Sequence, residues 1–381
     1  MGHVIAVGEG HLAVPVDATG GDEPQPGFRE RPVERGPRRR IFVEGPAVRR
    51  VAQPGVGLPG QGDVVDRSAV GLGHRPDCRT LGSGIMWKVP EPNSVQSVPM
   101  EDGTRTTLRR HGNPSGPRLV MSHGNGLAID LYLPFWSILA RDFDLIIYDL
   151  RNHGWNNVGH IGYHNIPTFI KDHDQILEAI DSVFGRKPKI GIFHSLSGLV
   201  SLLSPTRGSG FAARILLDPP LCTPGRSYEE FDIAASQTAA MARRRANRFS
   251  SYDQFADLLS FAPAFAQVVP GVLDLMARTT LRKESAGDMY TLSCPREYEA
   301  RIIDYASSYS VLVDFNDLAC PTKVLGADPL VPYSYLPTLD LSHIMSVDYD
   351  FLPDATHFLP LERPEECAAM TREFIDSLGT T

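Results

Sequence analysis

Lys189-Ile190-Gly191-Ile192-Phe193-His194-Ser195-Leu196-Ser197-Gly198-Leu199-Val200 is an apolar run that changes character at a His-Ser pair. Ile190 to Phe193 reads as a buried strand, and the small residues Ser197 and Gly198 open an apolar helix. A sharp strand-turn-helix at that point lifts the Ser195 hydroxyl above the sheet edge. The helix start also aims backbone N–H groups, and the positive end of its dipole, at any oxyanion formed beside the serine. Ser195 is therefore the candidate nucleophile, set against the plainer role of a helix N-cap.

A serine hydroxyl is a weak nucleophile near neutral pH, so the chemistry requires a base and an acid to orient that base. His357 stands in Asp354-Ala355-Thr356-His357-Phe358-Leu359-Pro360-Leu361-Glu362, after the last expected strand, and is the candidate base. Two acids are available. Asp328 follows the strand Lys323 to Leu325 and is the first choice; Asp218 follows the strand Ile215 to Leu217 and is the alternative acid.

Working outward, short apolar runs recur at Leu119 to Ser122, Leu145 to Tyr148, Ile190 to Phe193, Ile215 to Leu217, Lys323 to Leu325 and Ile344 to Val347. Their spacing leaves room for helices between them, the pattern of a parallel sheet covered on both faces. Thr168 to Phe184 and Pro364 to Leu378 read as two such helices, and Ser94 to Arg110 as a hairpin turning at Asp102-Gly103. From Pro219 to Asp317 the rhythm stops: no strand is evident, and helices are expected over Phe231 to Phe249 and Ser251 to Phe261.

Four segments resemble, in the right order, motifs of the α/β-hydrolase superfamily. Ser122-His123-Gly124-Asn125-Gly126 is similar to its oxyanion loop, Asp149-Leu150-Arg151-Asn152-His153-Gly154 to the stretch after the fourth strand, Phe193 to Ser197 to its nucleophile elbow, and Thr356 to Glu362 to its histidine segment. The resemblance covers about residues 86–381. It implies an α/β fold with a mostly parallel sheet flanked by helices, split into a core of 86–218 and 318–381 and a helical cap of 219–317. It also implies an oxyanion hole formed by the backbone N–H groups of Asn125 and Leu196. Two departures stand out: Phe193 occupies an elbow position that is normally small, and Gly326 and Asp328 are closer together than is common.

The expected activity is that of a serine hydrolase cleaving a carboxylic ester, lactone or similar acyl bond of a small apolar substrate, with no cofactor and no metal. Hydrolysis of a carbon–carbon bond uses the same three groups, and a non-catalytic or slow-turnover receptor for a small ligand is the reading from another class, kept open by Phe193. His160 and His164 are spaced like metal ligands, but Gly159 and Gly162 argue against the helix such ligands need. Arg243-Arg244-Arg245 reads as a solvated face, with a guanidinium that could meet an acidic substrate. Phe249, Tyr252, Phe255, Phe261, Phe265, Met276, Met289 and Tyr290 could line an apolar pocket, although most suit the core of the insertion better.

Composition narrows the rest. The 381 residues are 42% hydrophobic and carry a net charge of −8, which gives no cationic field for nucleic acid. No stretch reaches the roughly 18 apolar residues of a membrane span, no secretory leader is evident, and five scattered cysteines form no C-x-x-C pair. A cytoplasmic protein with a small-molecule substrate is expected. Residues 1–85 hold 16 Gly and 9 Pro with only Phe28 and Phe42 as aromatics, and are expected to be disordered.

Overall fold

The computed structural model describes residues 86–222, 226–331 and 345–379. The expectation of disorder over 1–85 concerns residues outside that range.

The chain enters through β1 (Ser94–Pro99) and β2 (Arg105–Gly112), an antiparallel hairpin whose turn is made at Glu101-Asp102-Gly103. Gly103 takes a φ of 80°, which L side chains rarely adopt, and this fixes the tight return. Then follow β3 (Arg118–Ser122), α1 (Leu133–Leu139), β4 (Asp144–Tyr148), α2 (Ile166–Phe184), β5 (Lys189–His194), α3 (Leu196–Leu203) and β6 (Ala213–Leu217). α2 starts under an Asn165 cap and a Pro at its first turn.

Residues after β6 form α4 (Arg226–Arg244), β7 (Arg248–Phe249), α5 (Tyr252–Ser260), α6 (Val272–Thr280), β8 (Leu281–Lys283), β9 (Tyr290–Leu292) and α7 (Arg296–Ser310). The three strands pair antiparallel in the order β7-β9-β8, so this region is not purely helical as its sequence suggests. Strands of two and three residues are too short to show an alternating pattern. α4 and α7 pack through the buried small residues Ala239, Ala242 and Ala300, which let the two helices approach closely.

The chain returns through β10 (Thr322–Gly326), β11 (Asp348–Phe351), the short α8 (Leu359–Glu362) and α9 (Pro364–Ser377). Among the described residues, eight strands form one sheet in the order β1-β2-β4-β3-β5-β6-β10-β11, parallel from β4 to β11. The last strand lies later than Ile344 to Val347. Ile344 is outside the described residues, and Met345 to Val347 sit in a turn, Met345 almost fully exposed. β11 is an edge strand with one neighbour, so its Asp-Tyr-Asp-Phe alternates between exposed and half-buried and carries no apolar run to read.

The sheet is covered on both faces, and alternation along each strand divides its side chains between two cores. Leu119, Met121, Ile190, Ile192, Ile215 and Leu217 pack on one side with α1, α9 and the α5–α6 pair. Val120, Ile146, Phe193, Leu216 and Val324 pack on the other with α2 and α3. The strand order reverses between β3 and β5, and that switch point is where a crevice opens at the carboxyl ends of parallel strands.

Candidate active site

Ser195 lies at that switch point, between β5 and α3, with φ 52° and ψ −118°. A non-glycine residue held there costs on the order of 1–3 kcal/mol, which the packing on either side must hold in place. The Ser195 N–H donates to Leu217 O (2.9 Å) and the Ser197 hydroxyl to His194 O (2.9 Å), so the turn is tied both to β6 and to itself. The bulk of Phe193 is accommodated on the strand: a Cβ at Gly191 would lie 2.5 Å from the Phe193 ring. Helix and strand still approach closely at Gly198, where a Cβ would meet Pro219 at 3.1 Å. The space needed at this turn is thus supplied by Gly191 and Gly198, and Phe193 leaves its geometry intact.

His357 reaches the serine from the loop between β11 and α8. Its Nε2 is 3.0 Å from Ser195 Oγ, and its Nδ1 is 2.6 Å from Asp218 Oδ2. Asp218 is fully buried and directly follows β6; its second oxygen accepts from Ala327 N (3.0 Å). The loop that carries His357 is held from beneath by the buried Glu362, which accepts from Thr356 N (2.7 Å) and the Thr356 hydroxyl (2.5 Å).

The carboxylate that meets His357 is thus that of Asp218, the alternative acid, and not that of Asp328, the first choice. The carboxylate of Asp328 is engaged by the N–H groups of Leu330 (2.8 Å) and Asp354 (2.9 Å), which hold its pKa below the ordinary value. The reason is one of register. β6 is the immediate neighbour of β5, with Leu217 paired to His194, so the residue after β6 stands beside the serine. β10 is one strand farther out, and Asp328 serves its loop.

Asn125 and Leu196, the expected oxyanion donors, line the same cavity as Ser195 and His357. Leu196 is the first residue of α3, so its N–H is among the donors an α-helix leaves without an intrahelical acceptor. The loop carrying Asn125 is pinned by two buried histidines. His123 Nε2 accepts from Leu150 N (3.0 Å) while its Nδ1 contacts Gly124 O (2.7 Å); His153 Nε2 accepts from Gly126 N (3.0 Å) while its Nδ1 contacts Arg151 O (2.8 Å). In both rings the two contacts fix one neutral tautomer, and burial pushes both pKa values down.

A third link runs through Tyr132. Its oxygen accepts from Gly124 N (3.2 Å), and its hydroxyl donates to His194 Nδ1 (2.6 Å) because the other ring nitrogen of His194 faces a carbonyl oxygen. His194 must then carry its proton on Nε2, and that nitrogen donates to His357 O (2.8 Å). Burial, with His357 close by, holds His194 far below the usual imidazole range. Gly124 and the backbone of His357 are thereby connected through one buried phenol and one neutral imidazole.

Asp149 and Arg151 take structural parts: Asp149 binds Arg109 and the N–H groups of Ile129 and Trp155, and Arg151 pairs with Asp172 and Asp102. His160 caps a single turn, and His164 is buried against Asn152 (2.9 Å). Among the described residues, no group of three potential metal-ligating side chains is found, and no helix is long and apolar enough to cross a membrane.

The cavity over Ser195 measures about 190 Å³. Phe255, Phe265 and Met276 line it, whereas Phe249 is buried in the core and Phe261 is 83% exposed. Phe265 packs against Phe358, next to His357, with tilted rings whose centroids are 4.8 Å apart, so the insertion reaches the histidine loop.

The chain is similar to monoacylglycerol lipase abhd6-B of Xenopus laevis, 20% identical over 283 residues that cover 71% of this chain and 79% of that protein. Among solved structures it is similar to E-2-(acetamidomethylene)succinate hydrolase, with TM-score 0.58, 18% identity, and 74% of this chain and all of the other covered. The thioesterase domain from the curacin biosynthetic pathway matches with TM-score 0.55, 15% identity, and 73% and 99% coverage. Those two likenesses speak to the fold. The matching family model, described as the alpha/beta hydrolase family, runs over residues 119–370, from within β3 to within α9, and on that extent the chain belongs to the alpha/beta hydrolase family.

Proposed function

We propose that the protein is a serine hydrolase that cleaves a carboxylic ester or similar acyl bond of a small, largely apolar substrate. One observation carries this reading: Ser195 Oγ, both nitrogens of His357 and a carboxylate of Asp218 stand in one hydrogen-bonded line, at 3.0 and 2.6 Å. His357 Nε2 takes the proton of Ser195 as its oxygen attacks the acyl carbon. The N–H groups of Leu196 and Asn125 receive the oxyanion, donors that are typically worth about 3–4 kcal/mol each in the transition state. His357 then protonates the leaving group, and water, deprotonated by the same nitrogen, releases the acyl group from Ser195. Asp218 keeps the imidazole proton on Nδ1 and stabilises the imidazolium that forms. Residues 219–317 act as a cap that supplies the apolar wall of the cavity.

The relative named a monoacylglycerol lipase supports ester cleavage as the class of reaction. The experiment is labelling with a fluorophosphonate probe, together with turnover of short p-nitrophenyl esters, a lactone and a ring-cleavage diketone. Labelling that disappears in Ser195→Ala, with ester turnover, is expected. A wild-type protein that neither labels nor turns over an ester would refute the proposal, and turnover of the diketone alone would replace it with carbon–carbon hydrolysis.

A further inference from the structure

Away from Ser195 and His357 the cavity is lined mostly by apolar side chains, with hydroxyls at Thr238 and Thr280 and one charged pair. Arg245 and Glu299 both line it, paired through both guanidinium Nη atoms, one contact at 3.1 Å and a shorter one. This pair sits on the oxyanion loop: a Cβ at Gly126 would lie 2.6 Å from Glu299 Oε2, and Asn125 Nδ2 donates to the Glu299 backbone oxygen (2.9 Å). Asn125 Oδ1 is buried there with no hydrogen-bond partner.

The rest of the basic run is turned to other uses. Arg243 pairs with Asp304, Arg244 donates from Nε to Ala240 O (3.2 Å), and Arg245 alone reaches the cavity. Its charge is already matched by Glu299. An anionic substrate group arriving at Arg245 would meet the Glu299 carboxylate, and a cationic group arriving at Glu299 would meet the guanidinium. A matched ion pair favours a neutral group that donates to the carboxylate and accepts from the guanidinium at once. The orphan acceptor on Asn125 adds to the demand for a donor. A bidentate Arg–carboxylate pair is also rigid, so the directions of these contacts are set before the substrate arrives.

From this geometry we infer that Arg245 and Glu299, with Asn125 beside them, select substrates that carry an uncharged hydroxyl close to the scissile acyl bond. The inference rests on the serine-hydrolase reading above and deepens it by naming the substrate class.

Two matched series of esters test it. With the hydroxyl on the alcohol part, the series is 2-hydroxyethyl, 2-methoxyethyl, carboxymethyl and choline butyrate. With the hydroxyl on the acyl part, it is methyl 3-hydroxybutyrate, methyl 3-methoxybutyrate and monomethyl succinate. Plain ethyl butyrate gauges turnover for every variant. In at least one series the wild type is expected to prefer the hydroxyl ester about tenfold or more in kcat/KM over its methyl ether, and by more over the charged esters, because a site built to hydrogen-bond a hydroxyl rejects its loss strongly.

Glu299→Gln leaves Arg245 unmatched, and the ratio of carboxylate to hydroxyl ester is expected to rise about tenfold. Arg245→Met leaves Glu299 unmatched, and the ratio is expected to stay low. Because each ratio is taken within one variant, a general loss of active protein does not move it. Turnover of ethyl butyrate without any hydroxyl preference, or ratios unmoved in both variants, would overturn the inference and leave the hydrolase reading standing. No turnover of any ester by the wild type would overturn both.

Discussion

Replacing Asp218 by Asn exposes the geometry of the site to a quantitative test. One Asp218 oxygen accepts from Ala327 N (3.0 Å) and the other faces His357 Nδ1 (2.6 Å), and neither has room to turn because the side chain is fully buried. An asparagine must place its NH₂ against one of those two N–H groups. The backbone N–H of Ala327 cannot change, whereas the imidazole can exchange tautomers. The Asn NH₂ therefore faces Nδ1, which becomes an acceptor, and the ring proton moves to Nε2, pointing at Ser195 Oγ. That nitrogen can no longer take the serine proton. A wrong tautomer in this arrangement costs about 10⁴ in kcat, or about 5.4 kcal/mol of transition-state stabilisation, while the fold loses little because both partners keep a hydrogen bond. Asp328→Asn keeps one acceptor for the loop amides of Leu330 and Asp354 and does not touch Nδ1, so kcat is expected to change less than about threefold, with a small fall in Tm. Steady-state kinetics on p-nitrophenyl butyrate, with calorimetric Tm as the check on folding, separates the two. Should Asp328→Asn lose more kcat than Asp218→Asn, the register argument that assigns the acid to β6 is wrong.

Tyr132→Phe leaves the Gly124 N–H and His194 Nδ1 without partners in a buried setting, which is expected to cost about 2–4 kcal/mol in stability and about tenfold in kcat/KM; a drop in Tm with kcat/KM intact would limit Tyr132 to a structural part. The 190 Å³ cavity is below the roughly 300–1,000 Å³ of typical ligand sites, so kcat/KM on p-nitrophenyl esters is expected to peak at short acyl chains, and a maximum at palmitate would contradict it. Burial lowers the pKa of His164 and of His173 to about 3, below the unfolded value near 6.5, so unfolding takes up protons. The stability these neutral rings contribute is whole above pH 6.5 and falls as the pH drops toward 3, by up to about 1.4 kcal/mol per pH unit for each ring. Calorimetric Tm across pH 4–8 checks this, and a Tm that is flat from 7 down to 4.5 would show that the rings are protonated in the folded protein.

What could be read from the sequence followed what each strand buries. β3, β5 and β6 have neighbours on both sides and both faces covered, so each carries an apolar run, Leu119 to Met121, Ile190 to Phe193 and Ile215 to Leu217, that announces it. β11 has one neighbour and half-exposed faces, so it lacks an apolar run, and the run Ile344 to Val347 lies four residues before it. Ser195 and His357 were legible because a strand-turn-helix and a loop after the sheet both leave local marks. The acid was not, because Asp218 and Asp328 each follow a strand and are separated only by which strand pairs with β5, a long-range fact. Tyr132 and Glu299 carry no local mark at all. They lie 63 and 104 residues from Ser195, and only the folded loop after β3, which meets Tyr132 at Gly124 and α7 at Asn125, gives them a role.

The way the loop after β3, the proposed oxyanion loop, is fastened explains why this site carries so many buried histidines. An oxyanion hole is useful when its donors are aimed before the reaction starts, since reorienting dipoles during the reaction would return part of the gain. The loop 123–127 contains two glycines and would be mobile if left to itself. Here the N–H groups of Gly124 and Gly126 donate to Tyr132 and His153, while His123 accepts from Leu150 N at the end of β4. A neutral imidazole suits this work because it offers one donor and one acceptor on opposite sides of a rigid plane, bridging two backbone groups without a charge. A lysine or arginine in its place would bring a buried charge needing its own partner. The same neutrality that makes His123, His153 and His194 good struts ties the fold to pH, because each of them gains a proton if the chain opens in acid. Acid should therefore loosen the oxyanion loop before the sheet, and ester turnover should fall at a higher pH than the loss of sheet structure seen by circular dichroism. Coincident midpoints would mean that the loop has no separate weakness.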